Sequence, residues 1–213
     1  MALFRTVSRH EPPLLVEGET VLLRLPQMSD FAAWSSLRAQ SRAFLAPWEP
    51  VWPAYDLTRG SFRRRLRRYL RDVREDAAYP FLIFRRADMA LLGGVSLSNV
   101  RRGVTQTANL GYWMGEPHAG RGYMGAAVRR LLPFAHEALG LRRIEAACLP
   151  SNAPSMRLLE SVGFRREGYG REYLCINGSW QDHVLYARLA GDPLVRAPRF
   201  ETASLASFES GME

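Results

Sequence analysis

The stretch LGYWMGEPHAGRGYMGAA, residues 110–127, decides the reading of the fold. Its aromatic start reads as the end of a strand running from Gln106 to Met114, and its last residues open a helix that continues to about Leu139 and stops at Gly140. Between them lies the loop Gly120-Arg121-Gly122-Tyr123-Met124-Gly125. Small residues at the mouth of a helix let backbone N–H groups approach a pyrophosphate, and the helix dipole adds a favourable partial charge. Arg121 supplies a cation beside them. The six residues spell G-x-G-x-x-G, and Glu145 follows twenty residues later in the next strand, a spacing that also fits a dinucleotide-binding unit. The context argues against that alternative. Such a loop leaves its first strand directly and is followed by repeated βαβ units, whereas GEPHA (115–119) intervenes here and a long hairpin closes the patterned region.

Upstream of the loop, Thr20 to Leu25, Tyr79 to Arg85 and Leu91 to Asn99 read as strands. Ser29-Asp30 caps a helix through about Ala39, on which Phe31, Trp34 and Leu37 recur at helical spacing. Downstream come a strand from Arg143 to Leu149, a helix opened by Pro150-Ser151-Asn152 and ended by Gly163, and two strands, 164–176 and 180–189, that turn at Asn177-Gly178. The segment Phe44 to Pro53, FLAPWEPVWP, is too rich in proline for regular structure and too apolar for a solvated loop. It reads as a loop folded on the core or as a wall of a substrate groove. Residues 1–13 form a loose lead-in, and 191–213, rich in Ser, Ala and Glu without periodicity, read as a disordered tail. One domain therefore spans 14–190.

Charge is concentrated in one place. The chain of 213 residues carries +8, and all 29 of its cationic side chains are arginine. The helix predicted from Leu57 to Glu75 holds eight of these arginines and one acid between Arg59 and Arg74, opposite an apolar face of Phe62, Leu66, Tyr69 and Val73. It is either a solvated basic face or a contact to RNA or an acidic polypeptide. The absence of lysine excludes Schiff-base chemistry and a Walker A phosphate loop. Cys148 and Cys175 lack metal-ligand spacing and read as buried, inert thiols, and no metal site is expected. No apolar run approaches the 18 residues of a membrane helix and the N-terminus has no signal-peptide core, so the expected compartment is a reducing cytoplasm with no membrane partner.

With FLAPWEP (44–50), SNVRRG (98–103), the 110–127 stretch, NAPS (152–155), VGF (162–164) and EGYGREYLCINGSWQDHVLYA (167–187) in view, the chain resembles the GNAT superfamily of N-acetyltransferases. Within it, the pattern is similar to the RimJ-like branch that acetylates the N-terminal alanine of ribosomal proteins. The resemblance implies a mixed α/β fold whose central, mostly antiparallel sheet splays to admit acetyl-CoA, with helices on its faces. It implies that the pyrophosphate meets Gly120 to Gly125, and that Tyr112, Trp113 and Met114 run beside the pantetheine arm, one backbone N–H polarising the acetyl carbonyl. In the superfamily's loop pattern, Ala119 and Met124 stand where other side chains are usual, so only backbone contacts are expected there.

The same resemblance implies a cofactor contact from Asn152, whose other role is to cap its helix, and a proton-donating or relaying role for Ser155. Another branch uses a tyrosine where this chain has Leu159. Glu172 corresponds to an acidic position and is the expected base, acting through water; Glu49 is the second carboxylate, and Trp48, Glu49 and His183 are expected to line the acceptor groove. His118 and His136 carry no chemistry in this reading. A weak base suits one acceptor class: an α-amine of pKa about 7.7–8.0 is roughly a tenth neutral at pH 7, against less than about 0.1% for lysine. The expected reaction is direct acetyl transfer to the N-terminal α-amine of a ribosomal protein, with the basic helix a possible contact to ribosome or rRNA. The alternatives are acetylation of a small amine such as a polyamine or antibiotic, and a ribosome-binding assembly factor with residual activity.

Overall fold

Strand β3 (Tyr79–Arg85) carries the unbroken apolar run PFLIF because both of its faces are covered. In the computed structural model, which describes residues 15–193, it belongs to an eight-stranded sheet. The other strands are β1 (Leu15–Glu17), β2 (Val21–Arg24), β4 (Leu91–Arg101), β5 (Thr107–Met114), β6 (Arg143–Cys148), β7 (Arg165–Ile176) and β8 (Ser179–Leu189). Their order is β1-β2-β3-β4-β5-β6-β8-β7, antiparallel throughout except where β5 meets β6. This is the mixed, mostly antiparallel sheet expected from the sequence. The lead-in expected over 1–13 and most of the tail expected over 191–213 lie outside the described residues.

Helices cover both faces. Val21, Leu23, Phe81, Ile83, Leu97, Leu110, Ile144 and Ala146 pack with Ala127, Val128 and Leu131 of α4 (Tyr123–Pro133) and Leu159 of α5 (Ala153–Ser161). On the other face Leu82, Phe84 and Leu91 meet Trp34 and Leu37 of α1 (Phe31–Gln40) and Phe62 and Leu66 of α3 (Arg59–Arg74). The period-2 alternation of the strands thus sorts one sequence into two cores. Helix α3 starts where Thr58 Oγ1 accepts from Ser61 N at 3.2 Å, an N-cap that puts the first helical residue, Arg59, two after the predicted start.

Three local expectations are corrected. The proline-rich segment is partly regular: a short helix α2 (Arg42–Leu45) leads into a 3₁₀ turn, Ala46–Trp48, in which Pro47 occupies a first-turn position that needs no N–H donor. The helix after the glycine loop begins earlier, at Tyr123, and its end widens into a π turn, Phe134–Ala138. Pro133 lacks the N–H that would continue the ordinary ladder, and Leu139 N reaches back to Phe134 O at 3.0 Å. Cys148 is buried as expected, whereas Cys175 is exposed, because β7 is the outer strand of the sheet.

Candidate active site

Strand β5 is paired along its length with β4, but it meets β6 only at Thr107, Ala108 and Asn109, opposite Arg143, Ile144 and Glu145. Beyond that point the two strands part, and Ala146 to Cys148 pair with β8 alone. The edge of β5 from Leu110 to Met114 is left without a strand partner, so its backbone groups are available to an extended ligand entering the cleft.

The glycine loop sits at the open end of this cleft. Gly115 N donates to Leu92 O at 2.8 Å, and Glu116 N donates to Ser41 Oγ at 2.9 Å, so the C-terminal end of α1 holds the approach to the loop. Gly120 and Gly122 have φ of 73° and 78°, the left-handed region that glycine enters without steric cost. Gly122 caps α4, and the first bond of that helix runs from Ala126 N to Gly122 O. The N–H groups of Tyr123, Met124 and Gly125 therefore have no partner within the helix and form an anion-binding end. Met124 itself is buried in the core, so only its backbone can serve a ligand. Arg121 is exposed beside the loop. Burial, reinforced by Arg85 and Arg121, pushes His118 below the ordinary histidine range.

Alternation along β5 sends Tyr112 and Trp113 to opposite faces. The Tyr112 hydroxyl lies 2.6 Å from Ser155 Oγ. Asn152 Oδ1 accepts from Ser155 N at 3.1 Å, which caps α5 and fixes the serine in its first turn. Asn152, Ser155 and Tyr112 are thus brought together at the cleft, while Leu159, where another branch has tyrosine, is buried in the core. Met114 faces the same core.

Trp113 opens on the other face, into a cavity of about 320 Å³ lined by Trp34, Arg38, Glu49, Phe62, Tyr69 and Gly111 among others. Arg38 is buried, its guanidinium 3.9 Å from the Trp52 ring and 4.8 Å from Trp113. It grips Glu49 through two bonds of 2.7 and 2.6 Å, and Trp52 Nε1 donates to the same carboxylate at 2.7 Å. Glu49 lines this cavity, and three donors occupy its carboxylate. Neither Trp48 nor Trp52 lines the cavity, but Trp52 stacks on Arg38 and bonds Glu49. Trp52 lies in the segment 44–53 read as a core loop or groove wall, whereas Arg38 carried no signal in the sequence, since nothing local marks an arginine on α1 as the partner of a glutamate eleven residues away.

A second cavity of about 540 Å³, which shares Gly111 with the first, is lined by Asn109, Arg143, Glu145, Glu167, Tyr173 and Leu185 among others. Its carboxylates are also paired: Glu145 with Arg101 and Arg143, and Glu167 with Arg143. Glu172 is exposed in a bulge of β7 at φ 44°, where its N–H donates to Asp182 Oδ1 at 2.8 Å, and it lines neither cavity. Its side chain has no ion-pair partner among the described residues. His183 is buried beside Tyr173, its Nδ1 2.9 Å from Gln181 O, and also lies outside both cavities. The hairpin turn reaches across the groove, Asn177 N donating to Glu49 O at 2.9 Å. Among the described residues, no group of three or more His, Cys, Asp or Glu is placed to hold a metal ion, and no helix is long and apolar enough to cross a membrane.

A splayed sheet with a glycine-led helix at its mouth defines a class: enzymes that draw a phosphate-bearing thioester between two parting strands. Comparison with known proteins narrows it. The acetyltransferase (GNAT) domain matches residues 20–165, and the chain belongs to that family. It is 36% identical over 178 residues to the "Probable N-acetyltransferase YjcK" of Bacillus subtilis, covering 84% of this chain and 98% of that protein. It is 31% identical over 181 residues to the "[Ribosomal protein uS5]-alanine N-acetyltransferase" of Escherichia coli, covering 85% and 93%. The structure of Mycobacterium smegmatis RimJ in complex with CoA-disulfide superposes with a TM-score of 0.79 at 33% identity, covering 84% of this chain and 88% of that one. The chain is a RimJ-like acyltransferase of the GNAT family and uses acetyl-CoA. The unpartnered edge of β5 and the free N–H groups opening α4 are suited to that co-substrate.

Proposed function

We propose that the enzyme, through a single domain over 14–190, acetylates the N-terminal α-amine of a ribosomal protein, with alanine as the first residue. The observation that carries this reading is the charge state of the groove. Each carboxylate lining its cavities is taken by arginine, Glu49 by Arg38 and both Glu145 and Glu167 by Arg143. A polyamine, cationic along its length, finds no free acid there, whereas a peptide α-amine arrives with one nitrogen that is partly neutral near pH 7. The uS5-alanine specificity of the E. coli relative supports alanine as the first residue.

In this reading the N–H groups opening α4, with Arg121, hold the pyrophosphate, and the free edge of Tyr112, Trp113 and Met114 holds the pantetheine arm. Asn152 adds a cofactor contact. A backbone N–H of that edge polarises the acetyl carbonyl, and Ser155 meets the charge on the departing sulfur. Glu172, whose side chain has no ion-pair partner among the described residues, takes the amine's proton through water. Glu49, held by Arg38 and Trp52, shapes the acceptor side around the peptide. The outward arginines of α3 make contact with the ribosome or rRNA, beside a groove whose wall includes Phe62 and Tyr69 of the same helix.

Acetyl-CoA is incubated with peptides beginning in Ala or Ser and with a set of polyamines and aminoglycosides, and products are identified by mass. Transfer to the Ala peptides is expected to dominate; transfer to small amines alone overturns the reading. Glu172→Gln is expected to lower kcat about tenfold or more, and unchanged turnover removes Glu172 from the base role.

A further inference from the structure

The contact between Tyr112 and Ser155 spans the cleft from β5 to α5, and at 2.6 Å it is a short hydroxyl–hydroxyl bond. A third group lies beside it. Burial raises the pKa of the Cys148 thiol, which ends β6 on the far side of the parting, and the neighbouring Ser155 hydroxyl opposes that rise. Cys148 is buried, and its backbone is fixed opposite Val184 in the β6–β8 ladder. Ser155 is fixed by the Asn152 cap. The three side chains thus come from the two arms of the cleft and from the helix that follows the second arm.

A serine hydroxyl has one proton and two lone pairs. If its oxygen accepts from Tyr112, its own proton is free to point at a sulfur entering the cleft. Burial holds the Tyr112 phenol well above the usual tyrosine range, so it stays protonated and remains a donor at any working pH. Nothing in the sequence marks this role, since Tyr112 enters the sequence reading only through its backbone.

We propose that the Tyr112 side chain is a positioning residue for acetyl transfer: by donating to Ser155 Oγ, it turns the serine's proton toward the departing thiolate. The proposal rests on the role given to Ser155 above. In the step, the acceptor nitrogen forms its bond to the acetyl carbon as the C–S bond breaks, and the electron pair of that bond stays on sulfur. Ser155 hydrogen-bonds the developing charge. The proton lost by the acceptor nitrogen passes to water, and the thiolate collects one from water after release, so Tyr112 and Ser155 end the cycle unchanged.

The test compares Tyr112→Phe, Ser155→Ala and the double variant in steady-state kinetics with an Ala-starting peptide, each checked for a wild-type melting curve. Tyr112→Phe keeps the ring and removes only the hydroxyl. It is expected to lower kcat about tenfold while leaving KM for acetyl-CoA within about twofold of wild type. Because the phenol acts through the serine, the double variant is expected to be no slower than Ser155→Ala alone. Wild-type turnover in Tyr112→Phe, beside an impaired Ser155→Ala, overturns this proposal and leaves the role of Ser155 standing. A Tyr112 loss that adds in full to that of Ser155 also overturns it. Wild-type turnover in Ser155→Ala overturns the serine's role itself, and the proposal with it.

Discussion

His136 shows how a single residue ties this fold to pH. It lies in the π turn after α4, its Nδ1 2.8 Å from Leu141 O, and its Nε2 is buried with no hydrogen-bond partner among the described residues. Burial lowers its pKa, Arg188 adds to the effect, and the Leu141 carbonyl, Asp192 and Glu137 oppose it. A depressed folded pKa means that the unfolded chain binds the proton more readily, so the neutral ring stabilises the fold above about pH 6.5. That stability is lost as pH falls from 6.5 through the folded value. The melting temperature is expected to drop between pH 7 and 5.5, and His136→Gln, which cannot charge, is expected to lose less over the same window. Equal slopes for the two proteins rule out His136 as the source. Residues of this kind were poorly legible in the sequence. The sequence gives His136 no chemistry, and the burial of its ring nitrogens follows from the packing of the turn after α4, which spacing does not encode.

At the scale of elements, the glycine loop was the most readable feature. Two glycines followed by a helix specify a backbone geometry, and the structure has it at φ 73° and 78°. A Cβ added at Gly122 meets nothing within 4 Å, so the penalty for Gly122→Ala is conformational and not steric. A non-glycine residue in the left-handed region costs about 1–2 kcal/mol. If the loop relaxes to avoid that strain, the N–H groups opening α4 turn from the phosphates. KM for acetyl-CoA is expected to rise about 5- to 30-fold, with kcat for the bound complex little changed; an unchanged KM shows that the phosphates do not depend on this conformation. The aromatic segment 44–53 was less readable. Its prolines suggested irregularity, yet Pro47 fits the first turn of a 3₁₀ helix, and Trp52, not Trp48, lies over Arg38 and bonds Glu49.

At the scale of the whole molecule, the densest charge lies on α3, with eight arginines and one acid. Of the eight arginines on α3, Arg65 pairs with Asp56 at 2.7 Å, and Arg68 and Arg71 reach Asp72 only at 4.0 and 3.8 Å. Arg63, Arg64 and Arg67 point to solvent on the face opposite Phe62 and Leu66. Exposed pairs of this kind contribute little to stability, so reversing the outer charges is expected to leave the fold intact. Arg63→Glu with Arg67→Glu is expected to leave turnover on a free peptide unchanged and to weaken co-sedimentation with ribosomes. The salt dependence should also flatten by about one unit of slope per lost phosphate contact. Ribosome binding that is unaffected by the reversal removes α3 from the interface.

The division between sequence and tertiary structure follows the range of the forces involved. Strand alternation, helix periodicity, the Asn177-Gly178 turn and the glycine loop are local, set by φ/ψ preferences and by the burial of one face, and the sequence by itself determined them; the acetyltransferase class came from the resemblance of its motifs to a known family. The pairing of Glu49 with Arg38, the stacking of Trp52, the joining of Tyr112 to Ser155 and the isolation of Glu172 on a bulged outer strand were decided only by the tertiary structure. Each depends on which side chains from distant segments meet when β5 and β6 part, and neither spacing nor composition encodes those meetings.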